Sequence, residues 1–294
     1  MNKILFYIFY GINWVITLLP LKVLYLLADL LYLILYYIIG YRRKVVATNL
    51  SNSFKGKSPV ELKKIEKKFY RHLCDMLVEG LKLTHMNEKE IMRRMKMTNP
   101  EVFSDIYSKG KSAFLILGHY GNWEWLTAIP LFANEHKSVS IYKPLKNKNF
   151  DNLINKLRSS TGAKMVDMRN ILREILENRS KNVPALYLSI ADQTPPKGEI
   201  RYWTQFMNQE TPFYNGTEKL AIKYNIPVYY LSITKIKRGY YTFVIEPICI
   251  ESEKTDTDWI TGQYAARLEK EILNRPEHYL WSHRRWKHKK SVEQ

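Results

Sequence analysis

A chain of 294 residues with 46 Lys and Arg against 28 Asp and Glu carries a formal charge of +18. That length builds one large domain or a domain plus an anchor, and the surplus suits a polyanionic partner: nucleic acid, an acidic carrier protein or a phosphate-rich membrane. Two cysteines far apart, Cys74 and Cys249, exclude a disulfide framework and make a reducing compartment the default.

Residues 4–41 are almost wholly apolar, interrupted by Asn13, Pro20, Lys22 and Asp29. The stretch is long enough to cross a bilayer once or to enter and turn back at Pro20. An interfacial anchor and a buried helix pair fit the same pattern. No small-residue cleavage site follows, so the segment reads as retained, and Arg42, Arg43 and Lys44 place the remaining chain in the cytoplasm by the positive-inside rule. Residues 1–41 therefore read as a membrane anchor and 42–294 as the body.

Ser58-Pro59-Val60-Glu61 predicts a capping box with proline at the first helical position. Leu62, Ile65, Phe69, Leu73, Met76 and Leu77 follow at helical spacing, extending that helix to about Leu83. After Asn99-Pro100 a short helix leads into residues 112–117, a continuous apolar run expected of a strand buried on both faces. Gly118 and Gly121 bracket His119, permitting a sharp turn and close approach of a ligand. Asn122 can cap the following helix, leaving free N–H groups beside His119 as a plausible oxyanion site. Glu124, about one turn in, is placed to reach back to the imidazole, fix its tautomer and raise its basicity. A structural histidine at a strand end is the competing account. No second His lies at ligand spacing from His119, so neither a metal nor another cofactor is expected.

Residues 138–142 predict a strand and 149–159 a helix ending near Arg158. Residues 183–190 predict another strand, followed by Asp192 and Gln193, and 227–235 with 240–246 a strand pair. Residues 211–217 are expected to open a helix through Leu220, Ala221 and Tyr224, and 259–274 to form the last one. Alternating strands and helices with short links indicate an α/β fold, a mainly parallel sheet sandwiched by helices. In such sheets the site lies at the carboxyl ends of the strands, where His119 and Asp192 both fall.

The block Gly118-His119-Tyr120-Gly121-Asn122-Trp123-Glu124, with a histidine and an acid separated by four residues, resembles the signature of the late acyltransferases of lipid A biosynthesis, within the glycerolipid acyltransferase superfamily. So do Tyr41-Arg42-Arg43 with Asn49-Leu50, Arg158 before Gly162, Asp192-Gln193, and the terminal run from Pro276-Glu277 through Tyr279-Leu280-Trp281 to His283-Arg284-Arg285. Residues 201–207 depart from the family's pattern, keeping aromatics without its glycine, and are expected as a loop lining an acyl groove. The resemblance implies an acyltransferase domain over 42–294 that moves a fatty acyl chain from an acyl carrier protein thioester to a hydroxyl of a lipid A precursor, on the cytoplasmic face of an anionic inner membrane. It implies His119 and Glu124 as catalytic residues. Asn122, Arg158, Asp192, Gln193, Arg284 and Arg285 are expected on the substrates, Arg158 as the fork for a phosphate, with a surface salt bridge as the rival account. Asp192 is expected to pair with Arg158 or His119 or to shape the pocket. The same chemistry on a lyso-phospholipid, glycolipid or aminolipid is the alternative. The tail's tryptophans among basic residues also fit an interfacial belt or a nucleic-acid patch, but charge alone supports a nucleic-acid partner and none is expected.

Overall fold

The structure, a computed structural model, describes residues 3–290. The apolar amino-terminal stretch breaks at Pro20 into α1 (Lys3–Ile16) and α2 (Leu21–Leu33), and α2 runs on through a π-helical turn at Ile34–Ile38. Arg42 turns the chain in the left-handed region into α3 (Arg43–Ser53). The predicted capping box opens α4 (Pro59–Lys82): the Glu61 N–H donates to Ser58 Oγ at 3.3 Å, and the Ser58 N–H donates back to the Glu61 carboxylate at 2.8 Å.

Then come α5 (Glu88–Arg94), β1 (Met95–Met97), α6 (Glu101–Ser108) and β2 (Ala113–Leu117). A 3₁₀ helix at Trp123–Ala128 leads through α7 (Ile129–Phe132) to β3 (Lys137–Tyr142), α8 (Lys148–Arg158), β4 (Lys164–Asp167), α9 (Ile171–Ser180) and β5 (Ala185–Ile190). The chain finishes with β6 (Tyr202–Phe206), β7 (Gln209–Phe213), α10 (Gly216–Tyr224), β8 (Val228–Lys237), β9 (Tyr240–Cys249) and α11 (Trp259–Asn274).

Seven strands form one sheet in the order β1-β9-β8-β2-β5-β3-β4, parallel except where β8 meets β9. Its centre, β2 beside β5, is buried on both faces, as a continuous apolar run requires. Alternate side chains feed two cores. Phe114, Ile116 and Tyr187 meet α4, α9 and α11 on one side, while Leu115, Leu117, Leu186 and Leu188 meet α2, α5, α6 and α8 on the other. The expected α/β sandwich is the fold observed.

Three local expectations are corrected. Residues 201–207 are no loop: β6 and β7 form an antiparallel hairpin, turned by Met207 and Asn208 at φ 53° and 59°. Residues 211–213 accordingly belong to β7, and the helix begins at Gly216. The terminal tryptophans form no exposed belt, since Trp281 is buried, donates its Nε1–H to the Pro276 carbonyl at 2.6 Å and stacks on Trp286.

Candidate active site

β2 delivers His119 to the carboxyl edge of the sheet, and its neighbour β5 delivers Asp192 and Gln193 to the same edge, two and three residues past its end. Asp192 Oδ1 lies 2.5 Å from His119 Nδ1, and the amide nitrogen of Gln193 lies 3.2 Å from His119 Nε2. An amide nitrogen is a donor only, so Nε2 carries the lone pair and Nδ1 the hydrogen given to Asp192. Burial disfavours charge on Asp192, but His119 and then Arg285 more than offset it and hold the carboxyl below its ordinary range.

The expectation that Glu124 would orient the imidazole is corrected, because Arg158 claims both of its oxygens. Arg158 Nε and Nη2 donate to Oε2 and Oε1 at 2.8 and 2.6 Å, a bidentate geometry that no single imidazole N–H can match. Burial works against the Glu124 charge, yet Arg158 keeps this carboxyl below the usual range. Trp123 bridges the two pairs: its Nε1–H donates to Glu124 Oε1 at 3.0 Å, and its ring meets the edge of the His119 ring at 5.0 Å between centroids. The single basic fork expected to be free for phosphate is therefore braced by an acid, with Nη1 left over.

Asn122 is fully buried and caps the 3₁₀ helix through Trp125 N–H. Its amide donates at 2.7 Å to Glu79, a buried carboxylate on α4 that also accepts from the hydroxyls of Tyr25 and Tyr241, both at 2.8 Å. Burial raises the Glu79 carboxyl above its usual range in spite of Lys235 and the tyrosine hydroxyls. The loop is pinned from two further sides. His72 donates from Nε2 to the Gly121 carbonyl at 3.1 Å. The terminal run pairs with the loop as a β-bridge between Tyr120 and Tyr279, Gly121 N–H donating to the His278 carbonyl and Leu280 N–H to that of His119.

That run divides the two terminal arginines. Arg284 is exposed, whereas Arg285 is 1 % exposed, lies 4.4 Å over the Phe213 ring and lends its charge to Asp192 from within the protein. His283 stays neutral near pH 7, its pKa pushed down by burial to about 4, and Thr194 N–H points at its Nε2 from 3.4 Å. Sequence reasoning missed Glu79, Trp123 and His283. For Glu79 a signal existed: His72, Asp75 and Glu79 recur at helical spacing on the face of α4 that otherwise carries Phe69, Leu73 and Met76. Among the described residues no group of three or more His, Cys, Asp or Glu side chains is arranged to hold a metal ion.

An imidazole oriented by a buried carboxylate, at the carboxyl edge of a parallel α/β sheet, is an arrangement that can take a proton from a hydroxyl. The sequence matches, over residues 1–288, the family described as bacterial lipid A biosynthesis acyltransferase, and the chain belongs to that family. It is also similar to a lipid A biosynthesis lauroyltransferase of Escherichia coli (strain K12), 23% identical over 282 residues that cover 94% of this chain and 89% of that protein. Family membership supports transferase activity, acyl transfer onto lipid A, and with it association with a membrane.

Proposed function

We propose that this chain transfers a fatty acyl group from an acyl carrier protein thioester to a hydroxyl of a lipid A precursor, at the cytoplasmic face of the inner membrane, with residues 1–41 as anchor and 42–294 as catalytic domain. The observation that carries the mechanism is the His119–Asp192 pair with the Nε2 lone pair facing Gln193. The acceptor hydroxyl replaces the Gln193 amide at Nε2 and gives up its proton there. Its oxygen forms the new bond to the thioester carbonyl carbon while Asp192 stabilises the imidazolium. The carbon–sulfur bond then breaks and the departing thiolate takes the proton from His119, so no acyl-enzyme forms. Backbone N–H groups at the start of the 3₁₀ helix after Asn122 meet the negative charge on the carbonyl oxygen, an aid worth about 3 kcal/mol.

Arg158, immobilised by Glu124, offers its remaining edge to an acceptor phosphate, and exposed Arg284 adds a second positive group on the terminal run. The net charge of +18 favours both an acidic carrier and an anionic lipid surface.

Purified protein incubated with acyl carrier protein thioester and lipid A precursor should yield, by mass spectrometry, a precursor heavier by one acyl chain, and His119→Ala should yield none. Acylation of a lyso-phospholipid, glycolipid or aminolipid in place of the precursor would overturn the acceptor assignment. Equal turnover with coenzyme A thioesters would overturn the donor.

A further inference from the structure

We propose that the α1–α2 hairpin does not cross the bilayer but lies along one leaflet, its outer face in lipid and its inner face on the catalytic body, so that both ends of the hairpin stay on the side of that body. The inference rests on the membrane-bound reading above and adds the geometry of the attachment.

By length and composition, residues Leu21–Ile38 could span, 18 residues at about 1.5 Å each giving about 27 Å. What surrounds them argues otherwise. Starting before Pro20, Lys82 Nζ donates to the carbonyls of Thr17 and Leu19 at 2.6 and 3.0 Å. At the start of the second turn of α2, Tyr25 donates to the buried Glu79, and Arg238 lies 4.4 Å over the Tyr25 ring. One turn further, Asp29 is paired with Arg238 at 2.7 Å. Arg71 lies 5.1 Å over Tyr32, and Arg43 lies 4.5 Å over Tyr36. Charged side chains of the body thus flank this helix from before its first residue to its last turn. Setting α2 upright through the hydrocarbon would carry those groups to every depth of it, where each charged side chain near the middle is strongly disfavoured.

α1 is held the same way. Phe6 and Phe9 rest on Phe150 of α8 at 5.3 and 5.5 Å between centroids, and Thr17 shares a 2.9 Å hydrogen bond with His85. With 14 residues α1 is too short to cross alone.

The opposite face fits lipid. Most of the exposed large apolar side chains among the described residues belong to the hairpin and its exit, among them Ile4, Ile8, Val15, Leu26, Leu30 and Ile38. Such a concentration is far beyond the scatter of single apolar residues on a protein surface. Exposed Lys22, Arg42, Lys44 and Lys67 border it, the charge complement of anionic headgroups and the wrong sign for a second copy of an equally basic chain.

The test compares two cysteine reporters in a Cys249→Ser background, one in a short extension ahead of Met1 and one at exposed Lys181 just after α9, using a membrane-impermeant maleimide. Both should label in inverted vesicles and neither in intact spheroplasts. Labelling of the two from opposite sides of the membrane would overturn the proposal. A Phe9→Cys/Phe150→Cys pair should form a disulfide in isolated membranes, and its absence in membrane-bound protein would also overturn it. Protein that fails to float with vesicles containing anionic lipid, or that buries the hairpin in a lipid-free dimer, would instead remove the membrane-bound reading itself.

Discussion

Glu124 and His119 belong to one sequence block, yet their side chains answer to different partners: Glu124 is clamped by Arg158 at 2.6 and 2.8 Å, and His119 leans on Asp192 at 2.5 Å, 73 residues further along the chain. The histidine and the acid of the signature therefore pair separately, one with Asp192 and one with Arg158. Trp123 between them keeps the two pairs in fixed relation.

Asp192→Asn should lower kcat by about 10²- to 10⁴-fold with little change in KM for the acceptor, because an amide keeps the shape but neither fixes the working tautomer nor supports an imidazolium. His119→Ala should abolish turnover. Steady-state kinetics on both variants decide it, and an Asp192→Asn enzyme within about tenfold of the parent would move the support of the imidazole elsewhere.

Glu124→Gln and Arg158→Gln should each lose activity by leaving a half-buried charge without its partner, while the double variant loses much less than their sum. The expected coupling is about 1–3 kcal/mol in kcat/KM. Strict additivity in that cycle would mean that the two residues act independently.

The two pairings also show what the sequence could and could not disclose. β2 and β5 were legible because continuous apolar runs closed by Gly118 and by Ala191-Asp192 can be little else than central strands, and parallel sheets expose such ends together. β1 and β4, of three and four residues with a mixture of charged and apolar side chains, are too short to carry a period. That Asp192 and not Glu124 would reach His119 depends on β5 lying next to β2, a fact of sheet order that adjacency in sequence actively misrepresents. The terminal run read as a basic aromatic surface because sequence spacing hides that Trp281 and Arg285 both turn inward.

Gly121→Ala tests how tightly the loop is held. Gly121 has φ +64°, and a Cβ there would come within 2.9 Å of Ile233 Cγ2, whereas Gly110, at φ +61°, has nothing within 4 Å. Gly110→Ala should cost only the backbone penalty of about 1–2 kcal/mol and leave activity intact. Gly121→Ala should cost more in thermal unfolding and lose most activity, since the displaced backbone is the one that carries His119. Equal effects of the two substitutions would show that the Ile233 contact does not matter.

Glu271 on α11 accepts from Tyr230 and Ser232, and burial pushes its carboxyl up to about 7. Between about pH 4.5, where the unfolded side chain ionises, and about 7 the folded state holds the extra proton, so this residue makes stability fall with rising pH across that window and level off above it. The full difference is about 3 kcal/mol. Chemical denaturation from pH 4 to 8 should show a flatter profile in Glu271→Gln; an unchanged profile would assign the slope to other groups.

The contact between Tyr25 and Glu79 bears on how this protein can be handled. A shortened gene beginning after residue 41, the obvious route to a detergent-free sample, would take away a hydroxyl from the carboxylate that secures Asn122, leave Arg238 with Asp75 as its one remaining acidic partner, and strip Leu83 and Ile91 of the Leu21 and Leu24 side chains that share their core. Solubility is better sought by repainting the outward leucines of α2 with polar groups, leaving its tyrosines in place.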